Sequence, residues 1–555
     1  MQPGERGNVW ESSSTIAIMS DNGGSKQSNP KLRKFGLMLI GAQLAFIALF
    51  AVFVQYDWDA LPVSLRSLSH QPSRTYRATH NDTAELTAVG LDPRLQQVKY
   101  PLRDYFSMYG DIQIMIFLAF GLFIACFKRY GYSATGMAFM LCAFIVQWST
   151  LVHGFFHLTP DNTINLSLIT LISADFTIAA VLISTCVLLG TLSPLQYIVL
   201  ALIEVVVYAG NEWLCLSVLR VVDVGGAIYL HTFAAYFGLA VAFVLNRRTK
   251  ECLKSLKGLT ASSYFNELLA FLGTILLFIY WPSFNSVFAP ADLQQRAVIN
   301  TALALLASSL ATFAMSAIVF KEKFSMTVIQ NGALAGGVAI GSTADLMIQP
   351  YAALMIGFAA GTLTVIGFKF IAPVLEERWK LLDMCGVQYL HGLPGLFAGL
   401  VSALVCGIAK DETYGSSYWE AFPAAVPPDN SSAYQKLLVE YPALKPGFGR
   451  TPWMQAGFQV LALLVSVLIA MVSGLVTGLL LKLSVFDPIK PAEMLCDDEL
   501  WLMPKELSED QEASVRETLE QVQKMLDSQR QKLAFKPTIV RNDLNGLQPC
   551  LKVRA

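Results

Sequence analysis

Two histidines, His231 and His391, occupy matched surroundings 160 residues apart in a chain of 555. The first ends the run Asp223-Val-Gly-Gly-Ala-Ile-Tyr-Leu-His231 and is followed by Phe237. The second ends Asp383-Met-Cys-Gly-Val-Gln-Tyr-Leu-His391 and is followed by Phe397. Aspartate, glycine, tyrosine, leucine, histidine and phenylalanine keep one register, which marks an internal repeat rather than chance agreement. Both histidines sit in long apolar runs. A charge at the centre of a bilayer costs at least roughly 2.5–3.5 kcal/mol, and histidine is mostly neutral at pH 7 even in water. The expected state is a neutral pair sharing a hydrogen bond, with one donor and one acceptor left over. Such a pair suits a small, uncharged solute that both gives and accepts hydrogen bonds. Taken alone, either histidine would as readily be a satisfied core residue, but the symmetric placement argues against that for both. A metal centre needs more ligands. His153 and His157 are spaced i, i+4 near the end of an apolar stretch, with no carboxylate or cysteine expected beside them, so no metal or other cofactor is called for.

The elements that must position these residues are membrane helices. Hydrophobic residues make up 54% of the chain and charged ones only 15%, against about a quarter charged in an average soluble domain; the mean hydropathy is +0.49. Net charge is −1, which gives no reason to expect a nucleic-acid partner, and the nine cysteines are scattered as small core residues would be. A spanning helix needs roughly twenty apolar residues. Twelve stretches qualify: about 35–56, 111–127, 134–158, 165–190, 195–218, 225–246, 264–288, 296–320, 326–348, 351–374, 389–409 and 454–483. The first follows a polar leader too long and too weakly charged for a signal peptide, so it reads as a retained span. The fold expected is an all-α polytopic membrane protein of about twelve spans.

Basic residues set the orientation. Lys31, Arg33, Lys34, Lys128, Arg129, the cluster Arg247 to Lys257, Lys321, Lys323, Lys369, Arg378 and Lys380 all fall on one side, and the loops 159–164 and 349–350 have none. Both termini are therefore expected in the cytoplasm. The sequons at Asn81 and Asn430 then fall in the two long extracellular loops, as glycosylation would require, whereas Asn165 lies too near the membrane. This divides the chain into a cytoplasmic polar segment 1–34, a transmembrane domain 35–486 with extracellular loops 57–110 and 410–453, and a cytoplasmic tail 487–555. In the tail Ser508-Glu-Asp-Gln511 reads as a capping box opening an amphipathic helix over about 508–533. That helix either packs on the membrane domain or meets a cytoskeletal or regulatory partner.

The two matched segments open the stretches 225–246 and 389–409, which are five helices apart. An odd number makes successive units enter the membrane from opposite faces, giving an inverted five-plus-five repeat whose interface commonly holds a substrate path near the midplane. Each histidine is eight residues past its aspartate, about 12 Å along a helix at 1.5 Å per residue, so the two are expected to meet in mid-membrane.

At this point the chain resembles the Rhesus (Rh) glycoprotein branch of the ammonium transporter superfamily, over about 100–410 and around Cys496, Asp498, Trp501 and Pro504. The motifs carrying the resemblance are Ser173-Ala-Asp-Phe176, Asn211-Glu-Trp, Asp223-Val-Gly-Gly, Leu230-His-Thr-Phe-Ala-Ala-Tyr-Phe-Gly-Leu239, Tyr280-Trp-Pro-Ser-Phe-Asn-Ser286 and Leu390-His-Gly-Leu-Pro-Gly395. The resemblance implies an ammonium transporter-like fold and a homotrimer with one hydrophobic pore per subunit. It makes His231 and His391 the twin histidines of that pore, Phe176 and Phe284 a stacked outer gate, Asp223 the acidic position behind the entrance and Glu212 a vestibule acid. With Asp175 and Asp345, these carboxylates fall on the outer half, where they would attract ammonium. Asp223 has a second reading, as the cap of its helix. The tryptophan and serine that help build an outer cation site in bacterial and plant relatives are matched here by Asn211 and Phe288, which argues for low-affinity flux.

The function implied is an ammonium/ammonia transporter or channel of the plasma membrane serving ammonia homeostasis, not an enzyme; no phosphate-binding loop is seen. Dehydrating a cation into an apolar pore carries a penalty reaching tens of kcal/mol by Born estimate, so recruitment of ammonium followed by passage of neutral ammonia is the expected mechanism. Methylamine and carbon dioxide are alternative solutes, and a non-conducting scaffold is an alternative role. A six-plus-six secondary transporter is disfavoured by the five-plus-five period.

Overall fold

The computed structural model describes residues 29–57, 60, 101–245, 260–321, 323–442, 444–490, 493–503 and 524. Residues 1–28 of the segment 1–34 expected in the cytoplasm, Asn81 and nearly all of the helix expected over 508–533 lie outside the described residues. Among those described, eleven helices are long and apolar enough to cross a membrane and one apolar helix is shorter. In chain order they are α1 Pro30–Phe53, α2 Tyr105–Phe123, α3 Gly131–Phe156, α4 Leu168–Val187, α5 Pro194–Val218, α6 Ala227–Leu245, α7 Tyr264–Ser286, α8 Ala291–Phe320, α9 Met326–Ile340, α10 Pro350–Trp379, α11 Gln388–Gly407 and α12 Pro452–Leu481. The chain is a multi-span membrane protein. We call the side carrying the basic loops inner and the other outer.

Several helix starts follow from local chemistry. Ser167 and Ser193 each cap a helix in a reciprocal box with Thr170 and Gln196, and proline stands in the first turn of α1, α5, α10 and α12. A side-chain oxygen satisfies an orphan N–H there, and proline has none to lose. The outlier is α1, where only Phe46 is buried. It lies against α3, with Phe46 5.2 Å from Phe144 and Gln43 hydrogen-bonded to Gln147 at 2.7 Å. Its continuation Val54–Tyr56 (β1) pairs in parallel with Ile164–Leu166 (β2).

The inner face is tied together by the segment after α12. Asp497 caps α3 by accepting from Tyr132 N–H at 2.9 Å and Ser133 N–H at 2.8 Å, and Trp501 Nε1 donates to Ser133 Oγ at 2.9 Å. Leu495 N–H reaches the Gly190 carbonyl at 3.1 Å. The short helix α9 ends at Ile340, about two-thirds of the way along the expected stretch 326–348, and gives way to a buried turn. That turn matters for the site, because it supports the entry to α6.

Candidate functional site

The two histidine-bearing helices begin alike. Gly226 and Gly386 adopt φ of 67° and 76°, a left-handed conformation that a residue with a Cβ enters only under strain. Asp223 Oδ2 accepts from the N–H groups of Ile228 and Tyr229 at 2.8 and 3.0 Å. Asp383 accepts from Gly386 and Val387 at 3.0 Å each and from Gln388 at 2.8 Å. Both aspartates are thus caps, folded back over a first turn. This changes the geometry expected from spacing. The helical part starts only at Ala227 and Gln388, so the rise to each histidine is roughly 4–6 Å, not 12. His231 is deep because its turn is itself sunk, Asp223 being only 3% exposed, whereas Asp383 before His391 is half-buried. Irregular backbone survives at that depth when protein surrounds it.

Both first turns are π-helical, Ala227–Thr232 and Gln388–Gly392, and each contains its histidine. The wider i→i+5 turn is a known companion of functional positions. The two rings lie nearly parallel, 5.0 Å apart at 16°, with Nδ1 to Nδ1 at 3.1 Å. That contact needs a single proton between two nitrogens, so one ring carries Nδ1–H and the other Nε2–H. His231 Nε2 is buried without a partner. Trp281 stacks on His231 at 5.8 Å and 24°. The histidines border a cavity of about 10 Å³ otherwise lined by apolar side chains, among them Met115, Phe120, Ile183, Leu277 and Leu334. That is room for a single water-sized molecule.

On the outer side of this cavity Phe176 of α4 and Phe284 of α7 stack face to face, centroids 4.0 Å apart at 8°, both fully buried. Phe288 tilts against Phe176 at 4.8 Å and is 37% exposed. Asn211 points elsewhere: it donates to the Tyr229 carbonyl at 3.0 Å and accepts from Ser466 at 3.1 Å.

The remaining acids are less open than expected. Asp175 is 1% exposed and accepts from Gln113 of α2 at 2.6 Å, its other oxygen having no partner. Asp223 Oδ1 accepts from Ser342, in the turn after α9, at 2.6 Å. Asp345 is buried, and Arg296 donates to its carbonyl at 2.9 Å. Glu212 lies 3.0 Å from His153 Nδ1, each side chain 15% exposed. This corrects the expectation that His153 has no carboxylate beside it. The partner comes from α5, across a helix–helix contact that i, i+4 spacing within α3 cannot reveal. Asn430 is exposed on the outer side, and Asn165 is built into β2.

Several residues escaped the sequence reading. Trp281 is three residues before Phe284, on the same helical face, and that spacing was the available signal. Ser342 and Thr177 carry no motif. Nor does Glu204, fully buried in α5 and hydrogen-bonded to Ser184 of α4.

The chain matches the model of the Ammonium Transporter Family over residues 105–499. It is 37% identical to "Ammonium transporter Rh type B" of Sus scrofa over 499 residues, covering 89% of this chain and 98% of that protein. Against the Rh type B protein of Xenopus tropicalis it is 38% identical over 479 residues, 85% of this chain and 93% of that one. Among solved structures it resembles Nitrosomonas europaea Rh50, described with the mechanism of conduction by the Rhesus family of channels, at 29% identity and a TM-score of 0.59, covering 77% of this chain and 98% of that one. Saccharomyces cerevisiae Mep2 shares the fold, with a TM-score of 0.55 at 15% identity over 72% of this chain and 92% of that one. With the sunken histidine pair and the inverted pair of capped helices already described, these matches identify the chain as a member of the Rhesus branch of the ammonium transporter family.

Proposed function

We propose that this protein is an ammonia conduit that recruits ammonium at its outer mouth and passes neutral ammonia between Phe176 and Phe284 and along His231 and His391. The observation that carries the reading is the Nδ1–Nδ1 contact of 3.1 Å bordering a cavity of about 10 Å³. A neutral pair offers one hydrogen-bond donor and one acceptor, and ammonia uses both. Carbon dioxide, which only accepts, would use one. A bare ammonium ion would meet no carboxylate at the histidine level to offset its dehydration.

The outer acids supply the attraction. Glu212 is the most accessible of them, while Asp175 and Asp223 lie buried as hydrogen-bond acceptors, the first for Gln113 and the second for Ser342 and backbone N–H groups. The stacked phenylalanines have no gap between them, so they must part for a molecule to pass, and this makes them the gate. A proton left outside at the gate and regained inside makes transport follow the ammonia gradient. The reading extends to methylamine as a second substrate, to a homotrimer in the plasma membrane with both termini cytoplasmic, and to glycosylation at Asn81 and Asn430. The tail from residue 487 is the segment available to a cytoskeletal or regulatory partner.

The test is stopped-flow pH recording on proteoliposomes, comparing wild type with His231→Ala and His391→Ala. Each substitution strands one Nδ1 of the remaining ring, a loss of about 1–3 kcal/mol, so ammonia permeability is expected to fall by about fivefold or more. Unchanged permeability in both variants would remove the histidines from the path. A voltage-dependent current in proportion to ammonium flux would overturn passage as the neutral molecule.

A further inference from the structure

The pairing of His153 with Glu212 has a hydrogen-bond arrangement that a simple vestibule acid does not need. His153 Nε2, on the far side of the ring from Glu212, lies 3.1 Å from Thr177 Oγ1. Thr177 immediately follows Phe176 in α4. Its hydroxyl has a second acceptor, the Ser173 carbonyl at 3.2 Å, and it receives a hydrogen bond from Ser149 at 2.9 Å. Counting protons gives two complete states. With the ring neutral, Nδ1–H donates to the Glu212 carboxylate and Nε2 accepts from Thr177 O–H. With the ring protonated, Nδ1–H still donates to Glu212, Nε2–H donates to Thr177 Oγ1, and Thr177 O–H turns to Ser173. Thr177 Oγ1 then uses both lone pairs, for Ser149 and for the ring. Neither state leaves a buried polar atom unpaired, and they differ by one N–H bond and one hydroxyl rotation. A histidine fixed merely to hold a carboxylate would need a partner at Nδ1 only.

We propose that His153 and Glu212 form a proton switch on the outer vestibule that sets how strongly the protein draws ammonium from acid and from alkaline surroundings. The switch rests on the conduit reading above. In the neutral-ring state the dyad carries one negative charge and attracts ammonium. Uptake of a proton from vestibule water onto Nε2 cancels that charge, so recruitment weakens in acid. The groups facing His153 come from α5, α4 and β2. From α5 these are Glu212 and Tyr208, whose ring lies 6.0 Å away. From α4 it is Thr177, Asp175 being turned to Gln113 of α2. β2 presents only Ile164, Asn165 and Leu166.

The experiment measures ammonia permeability of full-length protein in liposomes from about pH 5 to about pH 8. It reports the ratio of His153→Gln to wild type at each pH, which cancels the changing ammonium-to-ammonia balance. Glutamine still donates to Glu212 and accepts from Thr177, but takes up no proton. The ratio is expected to rise by about two- to fivefold from the alkaline to the acid end, the scale of one partly exposed charge interaction. Thr177→Val, which removes the acceptor needed by the protonated ring, should reproduce the rise. A flat ratio in a conducting protein overturns the switch. A second readout needs no conduction: in histidine-labelled protein, the ring signal missing from His153→Gln is expected to shift with bath pH, and less so in Thr177→Val. A signal indifferent to pH overturns the switch, while a shifting signal in a protein that adds no ammonia permeability overturns the conduit reading alone.

Discussion

The two copies of the repeat aim their histidines by the same device but are packed very differently. Each has an aspartate cap, a left-handed glycine and a π-helical first turn. In the outer copy Gly225 N–H bonds the Gly341 carbonyl at 2.9 Å, and a Cβ on Gly225 would fall 2.4 Å from Asn285 Oδ1 and 2.8 Å from Gly341 Cα. The register-matched residue of the inner copy is Cys385, a full side chain that the fold buries. Asp223 takes a serine hydroxyl in addition to backbone N–H groups, whereas Asp383 is half-buried and takes backbone alone. What the repeat preserves is the aim of the imidazole; the walls have been free to diverge. The tighter wall is also the one beside the stacked phenylalanines, because Asn285 follows Phe284 directly. Contact of α7 with the entry to α6 therefore registers the gate against His231.

The sharpest way to break this comparison is to exchange the matched residues. Gly225→Cys puts a Cβ and a sulfur where a backbone atom of the turn after α9 already stands. Overpacking against backbone should cost about 3 kcal/mol or more, seen as loss of a monodisperse peak in detergent and a large drop in thermal midpoint. Cys385→Gly removes a small buried side chain and adds chain entropy, for about 1–2 kcal/mol. Equal losses in the two variants would mean that the copies are equally packed.

The aspartates come next. Asp223→Ala strands two N–H groups and the Ser342 hydroxyl in a site closed to water, for about 2–3 kcal/mol. Asp383→Ala strands more N–H groups, but at a half-open turn where water can replace the carboxylate, for about 1 kcal/mol. Thermal unfolding of the purified variants orders them, and a larger loss at Asp383 would reverse the asymmetry argued here. Because each cap fixes the turn before its histidine, ammonia permeability should fall more in Asp223→Ala as well.

How much of this was legible in the sequence depends on the range of the interaction. The spans, their number and the repeat were readable because burial in lipid imposes a long apolar run on each helix, and because the Asp-to-His spacing is local. The capping role of Asp223 was one of two open readings for the same reason. The sunken turns were not readable, since their depth is set by α4 and α9 ending against them: Met384 N–H meets the Val187 carbonyl at 3.3 Å just as Gly225 meets Gly341. His153 was misjudged and Glu204 unread on the same ground. Each finds its partner on another helix, and a polar residue's neighbours across a helix contact leave no mark in its own periodicity.

The smallest effect tests the finest difference between the copies, the hydroxyl of Ser342. Ser342→Ala leaves the outer aspartate with backbone partners only, as at Asp383, and removes one charge-assisted bond of 2.6 Å worth about 1–2 kcal/mol. Because Asp223 keeps Ile228 and Tyr229, the turn before His231 should hold its shape and ammonia permeability should change by less than about twofold. A double-mutant cycle decides whether the loss belongs to this bond. In an Asp223→Ala background the serine hydroxyl has already lost its acceptor, so Ser342→Ala should cost little further, giving a coupling of about 1 kcal/mol. Additive losses would mean that Ser342 stabilises the turn after α9 by some other contact, and that the extra support of the outer copy comes from Gly225 and Asn285 alone.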